Sequence, residues 1–439
     1  MKTKSKAPDR SRINIVTLGC SKNLVDSEVL LTQLRGNGKV VTHEDKESQA
    51  GTVVINTCGF IDQAKQQSVD TILEYLEMKK QGLVDRVIVT GCLSERYRDD
   101  LVREMPEVDA FFGTHDLPDL LKELGADYRK ELLGERQTAS QGHYAYLKIS
   151  EGCNRGCSFC AIPLMRGRHN SREIEFLVNE AKYLVSKGVK EIMLIAQDLT
   201  YYGLDLYGRR RLDELLKALS DIEGLRWLRL HYAYPAGFPV DILPIIRERA
   251  NICNYLDMPF QHISSHVLKK MRRAIDKPRT IDLIARIREE VPGIAIRSTL
   301  LVGHPGEREE DHQELLEFLA TVRLDRVGVF TYSHEENTHS HSFADDVPQE
   351  VKERRRDDVM KLQQEVSSAL NQGRVGQVLD VLIDRKEKGG FAGRTEFDSP
   401  EVDNEVLVRA RGLKVGEFYK VKITGAREYD LDGELAGGA

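Results

Sequence analysis

The first part of the chain alternates short apolar, β-branched runs with segments of helical periodicity. The runs that predict strands are residues 13–18, 52–56 and 86–90. The helical patterns that follow them are residues 24–34, 62–79 and 94–103. Such alternation is typical of parallel strands joined by crossover helices. We therefore predict a parallel α/β domain over residues 1–127 and, from its polar composition, a linker over residues 128–142.

The second part, residues 143–371, repeats the same alternation. Strands are predicted at residues 145–149, 191–196, 225–232, 255–258, 295–302 and 326–331. Helices are predicted at residues 174–187, 264–273, 280–290 and 309–320, with one long charged helix at 350–371. Repeated β/α units form either an open doubly wound sheet or a full or partial barrel, and periodicity alone does not choose between these folds.

The third part, residues 374–439, changes to short alternating runs with glycines between them. Strands are predicted at residues 378–383, 405–410 and 418–424. This pattern is typical of a small antiparallel β-barrel. Three domains in 439 residues also agree with about 150 residues per domain.

Composition narrows the class of protein. The chain is 41% hydrophobic and 31% charged, which excludes a disordered tail protein or a collagen. No apolar run approaches the roughly 18 residues that cross a bilayer, and the basic start lacks the apolar stretch of a signal peptide. We therefore expect a cytoplasmic protein with no membrane partner. The net charge of −6 gives no general attraction to nucleic acid.

Three of the seven cysteines form a tight motif. Cys153, Cys157 and Cys160 are spaced Cys-x3-Cys-x2-Cys in a glycine-containing loop after a predicted strand. Three such thiolates suit three irons of a cubane cluster and leave the fourth iron open for a small molecule. The alternative is a zinc site with His169 as fourth ligand, although structural zinc sites usually have two separated cysteine pairs.

A second triplet is dispersed in sequence but regular in position. Cys20, Cys58 and Cys92 each follow the end of a predicted strand by one or two residues. In a parallel sheet these positions share the carboxyl edge, where ligands bind. The triplet predicts a second cluster with an open iron, or else three buried cysteines that act as small apolar residues. Cys253 is interpreted as an ordinary thiol.

The Cys-x3-Cys-x2-Cys motif, with Phe159 before its last cysteine, resembles the radical S-adenosylmethionine (SAM) superfamily. The resemblance implies that SAM chelates the open iron. It also implies that one electron from the reduced cluster cleaves SAM to a 5′-deoxyadenosyl radical, which abstracts hydrogen from a C–H bond. The cofactors carry this chemistry, and the protein orients and shields them.

The order of parts is similar to that of the methylthiotransferases. The resemblance implies an α/β fold with an amino-terminal parallel α/β domain, a central radical SAM partial (β/α) barrel and a carboxy-terminal TRAM-like antiparallel β-barrel. It further implies a transferase with two [4Fe-4S] clusters and SAM. Cys153, Cys157 and Cys160 would hold the SAM-cleaving cluster. The cluster that handles sulfur would be held by Cys20, Cys58 and Cys92.

Within that family, several strings resemble the RimO-like branch, which modifies the β-carbon of an aspartate in a small-subunit ribosomal protein of the decoding centre. They are residues 18–28, 160–167, 196–198, 231–235, 256–263, 332–336 and 393–396. The loop 303–308 departs from the family pattern, which usually has Phe where this chain has His304 and Thr where it has Arg308. Because of these two departures, the resemblance does not define which residues of this loop contact SAM.

The charge of the last domain bears on the substrate. From Arg374 onward there are 11 basic and 13 acidic residues, a net charge of −2. A barrel that binds tRNA, as in the MiaB-like branch that modifies an adenosine, would be expected to be basic. An acidic surface suits a basic ribosomal protein, although it also serves solubility alone. Two hypotheses from different classes are a non-enzymatic iron–sulfur carrier and a ribosome-binding scaffold with structural zinc.

By the same resemblance, Arg297 pairs with the SAM carboxylate, unless it forms only a salt bridge. Gly303 lies in the SAM-contacting loop, and Gln197, like its neighbour Asp198 and Gln261, contacts SAM or substrate unless it serves turn chemistry. The expected partners are the ribosomal protein or the ribosomal subunit, an electron donor such as flavodoxin or ferredoxin, and a sulfide or persulfide source. His334, His339 and His341 cluster in a polar loop that could bind metal, but we interpret this loop as solvated.

Overall fold

The computed structural model of the chain describes residues 8–46, 48–139 and 142–437. Its helices are α1 (Ser21–Gly36), α2 (Asp62–Lys80), α3 (Cys92–Glu104), α4 (Leu117–Glu123), α5 (Ile162–Arg166), α6 (Ile174–Ser186), α7 (Leu204–Tyr207), α8 (Leu212–Ser220), α9 (Leu243–Glu248), α10 (Ser265–Lys270), α11 (Lys277–Glu290), α12 (Glu309–Val322) and α13 (Gln349–Gln372). Its strands are β1 (Asp9–Thr17), β2 (Val40–His43), β3 (Ala50–Thr57), β4 (Arg86–Gly91), β5 (Ala110–Phe111), β6 (Tyr144–Lys148), β7 (Ser150–Glu151), β8 (Asn170–Ser171), β9 (Glu191–Ile195), β10 (Trp227–Leu230), β11 (Ile252–Asp257), β12 (Ala295–Val302), β13 (Arg326–Thr331), β14 (Val378–Glu387), β15 (Gly390–Arg394), β16 (Val406–Val408), β17 (Phe418–Ala426) and β18 (Leu431–Leu435).

Two regions of the sequence analysis fall partly outside this description. They are the basic start, at residues 1–7, and the predicted linker, at residues 140 and 141. Within the described residues, the structure contains no helix with the length and apolar character needed to span a bilayer.

The amino-terminal sheet is parallel, as predicted. Within the described residues it has the strand order β2-β1-β3-β4-β5. Val54 of β3 packs with Ile15 and Leu34 on one face, while the adjacent Val53 packs with Ile72 on the other. The helices therefore cover both faces. The chain turns from β1 to β2 on one side and continues to β3 on the other, which makes the β1–β3 border the topological switch point.

The sequence analysis missed β2 and β5, the two outer strands of this sheet. Each is too short for a periodic signal, at four and two residues. The central strands were found because burial on both faces gives them continuous apolar runs.

The described residues divide into two compact units that interleave along the chain. One unit contains the residues up to Ala139 together with Tyr146–Asn154 and Ala161–Lys187. The other contains Arg155–Cys160, the short stretch before Tyr146 and the residues from Gly188 onward. The segment that follows Cys160 thus folds with the amino-terminal sheet. The predicted boundaries at 1–127, 128–142, 143–371 and 374–439 stay predictions.

The second unit contains the strands β9 to β13 of the central sheet. Within the described residues their order is β13-β12-β11-β10-β9, so these strands lie side by side in chain order. The pairings from β9 to β13 are all parallel. Sequential parallel strands that do not close on themselves form a partial barrel, the architecture that periodicity alone had left open. The carboxyl ends of these strands lie along one edge of the sheet. The loop that contains Gly303 starts at this edge, directly after β12.

The carboxy-terminal strands close into a small barrel. In the described part of the chain its order is β14-β15-β16-β18-β17, and its core contains Val381, Ile383, Val406 and Val421. The pairings are antiparallel except β16 with β18, which is parallel. The sequence analysis missed β15 because its glycines break the apolar pattern. A Cβ on Gly393 would lie 2.4 Å from the carbonyl oxygen of Leu382, so this strand requires glycine there.

This barrel joins the amino ends of the central strands through buried charges. Glu191, the first residue of β9, accepts from Arg229 at 2.7 Å and from Arg394 at 2.8 Å. Arg394 also pairs with Asp384 at 2.7 Å, and Asp384 lies 2.8 Å from His143 Nε2. All five side chains are buried. The network therefore fixes the barrel at the edge of the sheet opposite to Gly303.

Candidate functional site

The dispersed cysteines gather at one edge of the amino-terminal sheet. Cys20 follows β1 and precedes α1, Cys58 follows β3, and Cys92 is the first residue of α3 directly after β4. Because β1, β3 and β4 are neighbours, their carboxyl ends bring the three cysteines together at the switch point. Cys20 is exposed, whereas Cys58 and Cys92 are buried.

Two glycines make this close approach possible. Gly19 has φ +91°, and a Cβ there would lie 2.7 Å from Cys58 Cβ and 2.9 Å from its Sγ. Gly91 has φ +101°, and a Cβ there would lie 2.5 Å from the carbonyl oxygen of Thr57. Only glycine combines this backbone conformation with so little space. The loops that carry the cysteines therefore pack directly on one another.

The electrostatics of the triplet suit a metal cluster. Burial raises the pKa of Cys58 and raises the pKa of Cys92 to about 12. The charge of Cys20 raises both pKa values further, whereas the Arg166 guanidinium lowers both. Three thiols that repel one another as thiolates need positive charge between them to ionise together. Three cysteines at one sheet edge are a donor set that fits an iron–sulfur cluster, and bound iron together with Arg166 would supply that positive charge.

Asn23 and Arg166 surround the triplet with hydrogen bonds. Asn23 Nδ2 donates to the carbonyl oxygens of Leu18, at 2.7 Å, and Thr57, at 3.0 Å, which joins the β1 and β3 loops. Arg166 donates through Nε to Cys92 Sγ at 3.2 Å and through Nη2 to Asn23 Oδ1. In the sequence, Arg166 is distinguished only as part of the family-like segment 160–167, which indicates no role for its side chain.

Cys153 lies in a loop that backbone contacts fix in the amino-terminal unit. Its N–H donates to the carbonyl oxygen of Gly167 at 3.1 Å. Gly152 has φ +76°, and a Cβ there would lie 2.1 Å from the carbonyl oxygen of Arg168. The candidate fourth ligand of the zinc alternative was His169, whose Nε2 lies 3.0 Å from Ser171 Oγ. Among the described residues, no group of three or more His, Cys, Asp or Glu side chains could hold a single metal ion.

Cys157 and Cys160 lie in the second unit. The N–H of Cys160 is 3.3 Å from the carbonyl oxygen of Cys157. Arg273 Nη1 donates to Cys157 Sγ at 3.3 Å, and the guanidinium carbons of Arg155 and Arg273 lie 4.0 and 4.2 Å from the ring centroid of Tyr234. Arg273 therefore provides a charged hydrogen-bond donor to the sulfur that would bind iron. The surroundings of Cys157 therefore fit a cluster ligand.

The loop after β12 is ordered by Glu307. Its carboxylate accepts from the N–H groups of Gly303 and His304, at 2.5 and 3.2 Å. His304 is buried, and burial lowers its pKa to about 4, so the ring is neutral. The ring meets Phe159 edge-on at 6.4 Å, and its Nε2 lies 3.4 Å from Ser158 Oγ. A neutral aromatic ring thus occupies the position where the family usually has Phe.

The remaining predicted residues divide by position. Arg297, the third residue of β12, donates to Asp257 at 3.1 Å and to Asp403 at 3.3 Å. Gly303 follows Arg297 by six positions along the strand, which corresponds to about 20 Å. The SAM contact predicted for Arg297 stays a prediction, and the geometry lends it no support. Gln197 follows β9 at the same edge as Gly303, which suits the position predicted for it.

Asp198 and Gln261 also follow strands of the central sheet. Asp198 Oδ2 accepts from Arg155 Nε at 2.7 Å, and its other oxygen accepts from the N–H of Thr200 at 2.8 Å. Gln261 has φ +72° and extends the ladder of β12 through its N–H to the carbonyl oxygen of Thr299 at 2.9 Å. Both residues therefore have contacts that are typical of turns at the ends of strands, as the alternative in the sequence analysis described.

Comparison with known proteins identifies the family. A relative from Cytophaga hutchinsonii, named ribosomal protein uS12 methylthiotransferase RimO, is 59% identical over 98% of this chain and 99% of its own length. Relatives of the same name from Porphyromonas gingivalis and Bacteroides thetaiotaomicron are 54% and 52% identical, each over 96% of this chain and 98% of its own. This chain belongs to the RimO family of radical SAM methylthiotransferases.

Family models agree with this membership of the RimO family. The uncharacterized protein family UPF0004 matches residues 12–113, the radical SAM superfamily matches 147–319, and the TRAM domain matches 375–436. The predicted family and fold class are therefore confirmed. As a radical SAM enzyme, a RimO family member uses an iron–sulfur cluster and SAM.

A solved structure shares the fold. The radical SAM methyltransferase TsrM from Kitasatospora setae, described with cobalamin and a [4Fe-4S] cluster bound, superposes with a TM-score of 0.55. The match covers 74% of this chain and 75% of TsrM at 17% identity. At that identity the likeness supports the radical SAM fold of this RimO family chain and nothing more specific.

Proposed function

We propose that this chain adds a methylthio group to the β-carbon of an aspartate in ribosomal protein uS12, with two [4Fe-4S] clusters and SAM. The observation that carries this proposal is the gathering of Cys20, Cys58 and Cys92 at the switch point of the amino-terminal sheet. An enzyme that only cleaves SAM needs one cysteine triplet. A second triplet, beside a buried arginine, supports a separate site for sulfur. Relatives named for uS12 modification, 52–59% identical, support the substrate.

In this proposal each triplet holds one cluster. Cys153, Cys157 and Cys160 bind the cluster that supplies an electron to SAM, and the other triplet binds the cluster that supplies the sulfur. Arg273 donates to Cys157 Sγ and Arg166 donates to Cys92 Sγ, so in each triplet a guanidinium would offset the negative charge of a coordinating sulfur.

Other residues prepare the SAM side. Glu307 holds the N–H groups of the 303–304 turn, and Gly303 at φ +77° leaves no Cβ in the loop. We assign Gly303 and Gln197 to SAM contacts because both follow strands at the carboxyl edge of the central sheet, where partial and full barrels bind substrates. Arg297 is retained as a SAM contact only on the family resemblance.

The proposed partners follow from the reaction. They are uS12, free or in the ribosomal subunit, an electron donor such as flavodoxin or ferredoxin, and a sulfide or persulfide source. The mildly acidic last domain is compatible with a basic protein substrate.

The test is an anaerobic assay of the reconstituted full chain with SAM, a strong reductant and sulfide. One reaction contains uS12 and a second contains unmodified tRNA. Mass spectrometry should find a methylthio group on an aspartate of uS12 and none on tRNA. A methylthio group on a tRNA adenosine instead would show a MiaB-like activity and would contradict the proposal that uS12 is the substrate. SAM cleavage without either product would overturn both substrates.

A further inference from the structure

Arg166 is a buried cation directed at a cysteine of the amino-terminal triplet. It is the last residue of α5, folds with the amino-terminal unit and is 3% exposed. Its Nε lies 3.2 Å from Cys92 Sγ, and its Nη2 donates to Asn23 Oδ1. Asn23 is the residue that joins the β1 and β3 loops. The Arg166 guanidinium therefore contacts Cys92 and also Asn23, whose hydrogen bonds hold together the loops that carry Cys20 and Cys58.

A ring of charges holds the guanidinium in this orientation. Arg166 Nη1 donates to Asp26 Oδ2 at 2.6 Å and lies 3.3 Å from Glu151 Oε2. Lys148 donates to both carboxylates from the other side. The end of α5 is anchored separately, because Thr114 Oγ1 donates to the carbonyl oxygen of Met165 at 2.6 Å. The donors on Nη1 are therefore occupied, and Nε remains directed at sulfur.

This ring has two cations and two carboxylates, so its own charge is balanced. Buried ion pairs of this kind add little net stability, since desolvation offsets their attraction. Cluster thiolates would add negative charge beside the ring. A donor to a coordinating sulfur stabilises the reduced, more negative cluster and fixes the direction of the ligand. The planar fork of arginine meets these partners together, whereas lysine would provide only a point charge.

We propose that Arg166 is a positioning residue of the sulfur-bearing cluster, which orients the Cys92 thiolate and raises the reduction potential of that cluster. This inference rests on the proposed function, because it takes Cys20, Cys58 and Cys92 as ligands. It adds that the reduction potential of that cluster is set in part by Arg166, a residue that follows Cys153, Cys157 and Cys160 in the sequence.

The test isolates one cluster in the full chain. Alanine replaces Cys153, Cys157 and Cys160 in a parent variant, and Arg166→Gln and Arg166→Lys are made in that background. The matched control is Arg172→Gln, which removes an arginine of the same unit that pairs with Glu180 of α6 at 2.5 Å. Iron and sulfide content, the midpoint potential from a redox titration followed by electron paramagnetic resonance, and the rate of iron loss to a chelator are measured.

Arg166→Gln should give a more negative midpoint potential than the parent and lose iron about ten-fold faster. The midpoint potential and the rate of iron loss of Arg166→Lys should lie between those of the parent and Arg166→Gln. Arg172→Gln should match the parent in both measurements. If Arg166→Gln holds no iron, the potential of Arg166→Lys decides. Unchanged potentials in iron-loaded Arg166 variants would overturn the inference and leave the proposed function intact. A parent that binds no iron would instead overturn the second cluster, and the proposed function with it.

Discussion

His304 Nε2 lies 2.9 Å from Ser340 Oγ, deep under the loop that carries Cys157 and Cys160. Ser340 in turn donates to Ser158, through its N–H at 2.7 Å and its hydroxyl at 2.8 Å. The cysteine loop is thus held by hydrogen bonds from two other loops of the same unit. The histidine that departs from the family pattern is part of this arrangement and has a consequence for stability.

His304 should make the protein less stable in acid. Burial lowers its pKa to about 4 in the folded chain, below the ordinary value of 6.5. Between these pH values the unfolded chain binds a proton that the folded chain does not, so stability falls as pH falls from 6.5 towards 4. The loss from this group approaches about 3 kcal/mol. His304→Phe should be tolerated at neutral pH, because a phenyl ring can take the place of the buried imidazole. Ser158 and Ser340 would still pair with each other.

Thermal unfolding of the metal-free wild type and of His304→Phe, measured from pH 7 to pH 4.5, checks this expectation. The difference in melting temperature between the two should shift in favour of the variant as the pH falls. Parallel curves across the whole range would show that His304 is protonated equally in both states.

The two cysteine triplets should separate in function. Cys157→Ala should abolish the release of 5′-deoxyadenosine from SAM. Cys92→Ala should keep that cleavage, because the other triplet is intact, and lose the methylthio product. The matched control is Cys253→Ala, since Cys253 packs with Trp227 and Tyr255 in the central sheet and should leave both reactions unchanged. Iron analysis should show partial loss in the first two variants only.

Loss of SAM cleavage in Cys92→Ala, with the remaining cluster shown to be loaded, would contradict this division of roles. Chromatography of the nucleoside and mass spectrometry of uS12 provide the two measurements from one reaction.

Gly19→Ala should impair the amino-terminal site through sterics alone. The new Cβ would lie 2.7 Å from Cys58 Cβ at a backbone φ of +91°. Iron bound in a background without Cys153, Cys157 and Cys160 should fall several-fold. Gly38→Ala carries similar backbone strain at φ +75° but meets nothing within 4 Å, so it should bind iron normally. Equal iron content in the two variants would show that the close approach at Gly19 is unnecessary.

Glu191→Gln should destabilise the second unit by about 3 kcal/mol or more, because it leaves Arg229 and Arg394 buried beside a neutral amide. Lys190→Gln removes the neighbouring exposed pair with Glu417 and should cost less than about 1 kcal/mol. Urea unfolding followed by tryptophan fluorescence provides the comparison, since Trp227 lies beside this network. Similar midpoints for both variants would count against a buried role for Glu191.

The elements and the cysteine motifs could be predicted from the sequence because their signals are local. Strands such as β12 and β13 have continuous, mostly apolar runs, and their predicted bounds at 295–302 and 326–331 match the structure. The regular position of Cys20, Cys58 and Cys92 after strands predicted their shared edge, because parallel strands with crossover helices end on the same side. The short outer strand β5 and the glycine-broken β15 lacked such a signal.

The partners of buried charges could not be predicted in this way. For Arg297 the sequence allowed a SAM contact, which stays a prediction, or a salt bridge, but it did not indicate the partners Asp257 and Asp403, and Asp403 lies 106 residues later in the chain. Arg166 was part of a quoted string, but its contacts with Cys92 and Asp26 span 74 and 140 residues. Pairings of this kind depend on which elements pack together.

By itself, the amino-acid sequence determined the three-part order, the parallel sheets and the two cysteine triplets that we propose as cluster ligands. Periodicity and local spacing encode these features, and they do not depend on distant contacts. Only the tertiary structure decided that residues after Cys160 fold with the amino-terminal sheet, which places Arg166 against Cys92. The reason is physical: a charge acts over a few ångströms of space, and folding alone determines which distant residues come within that range.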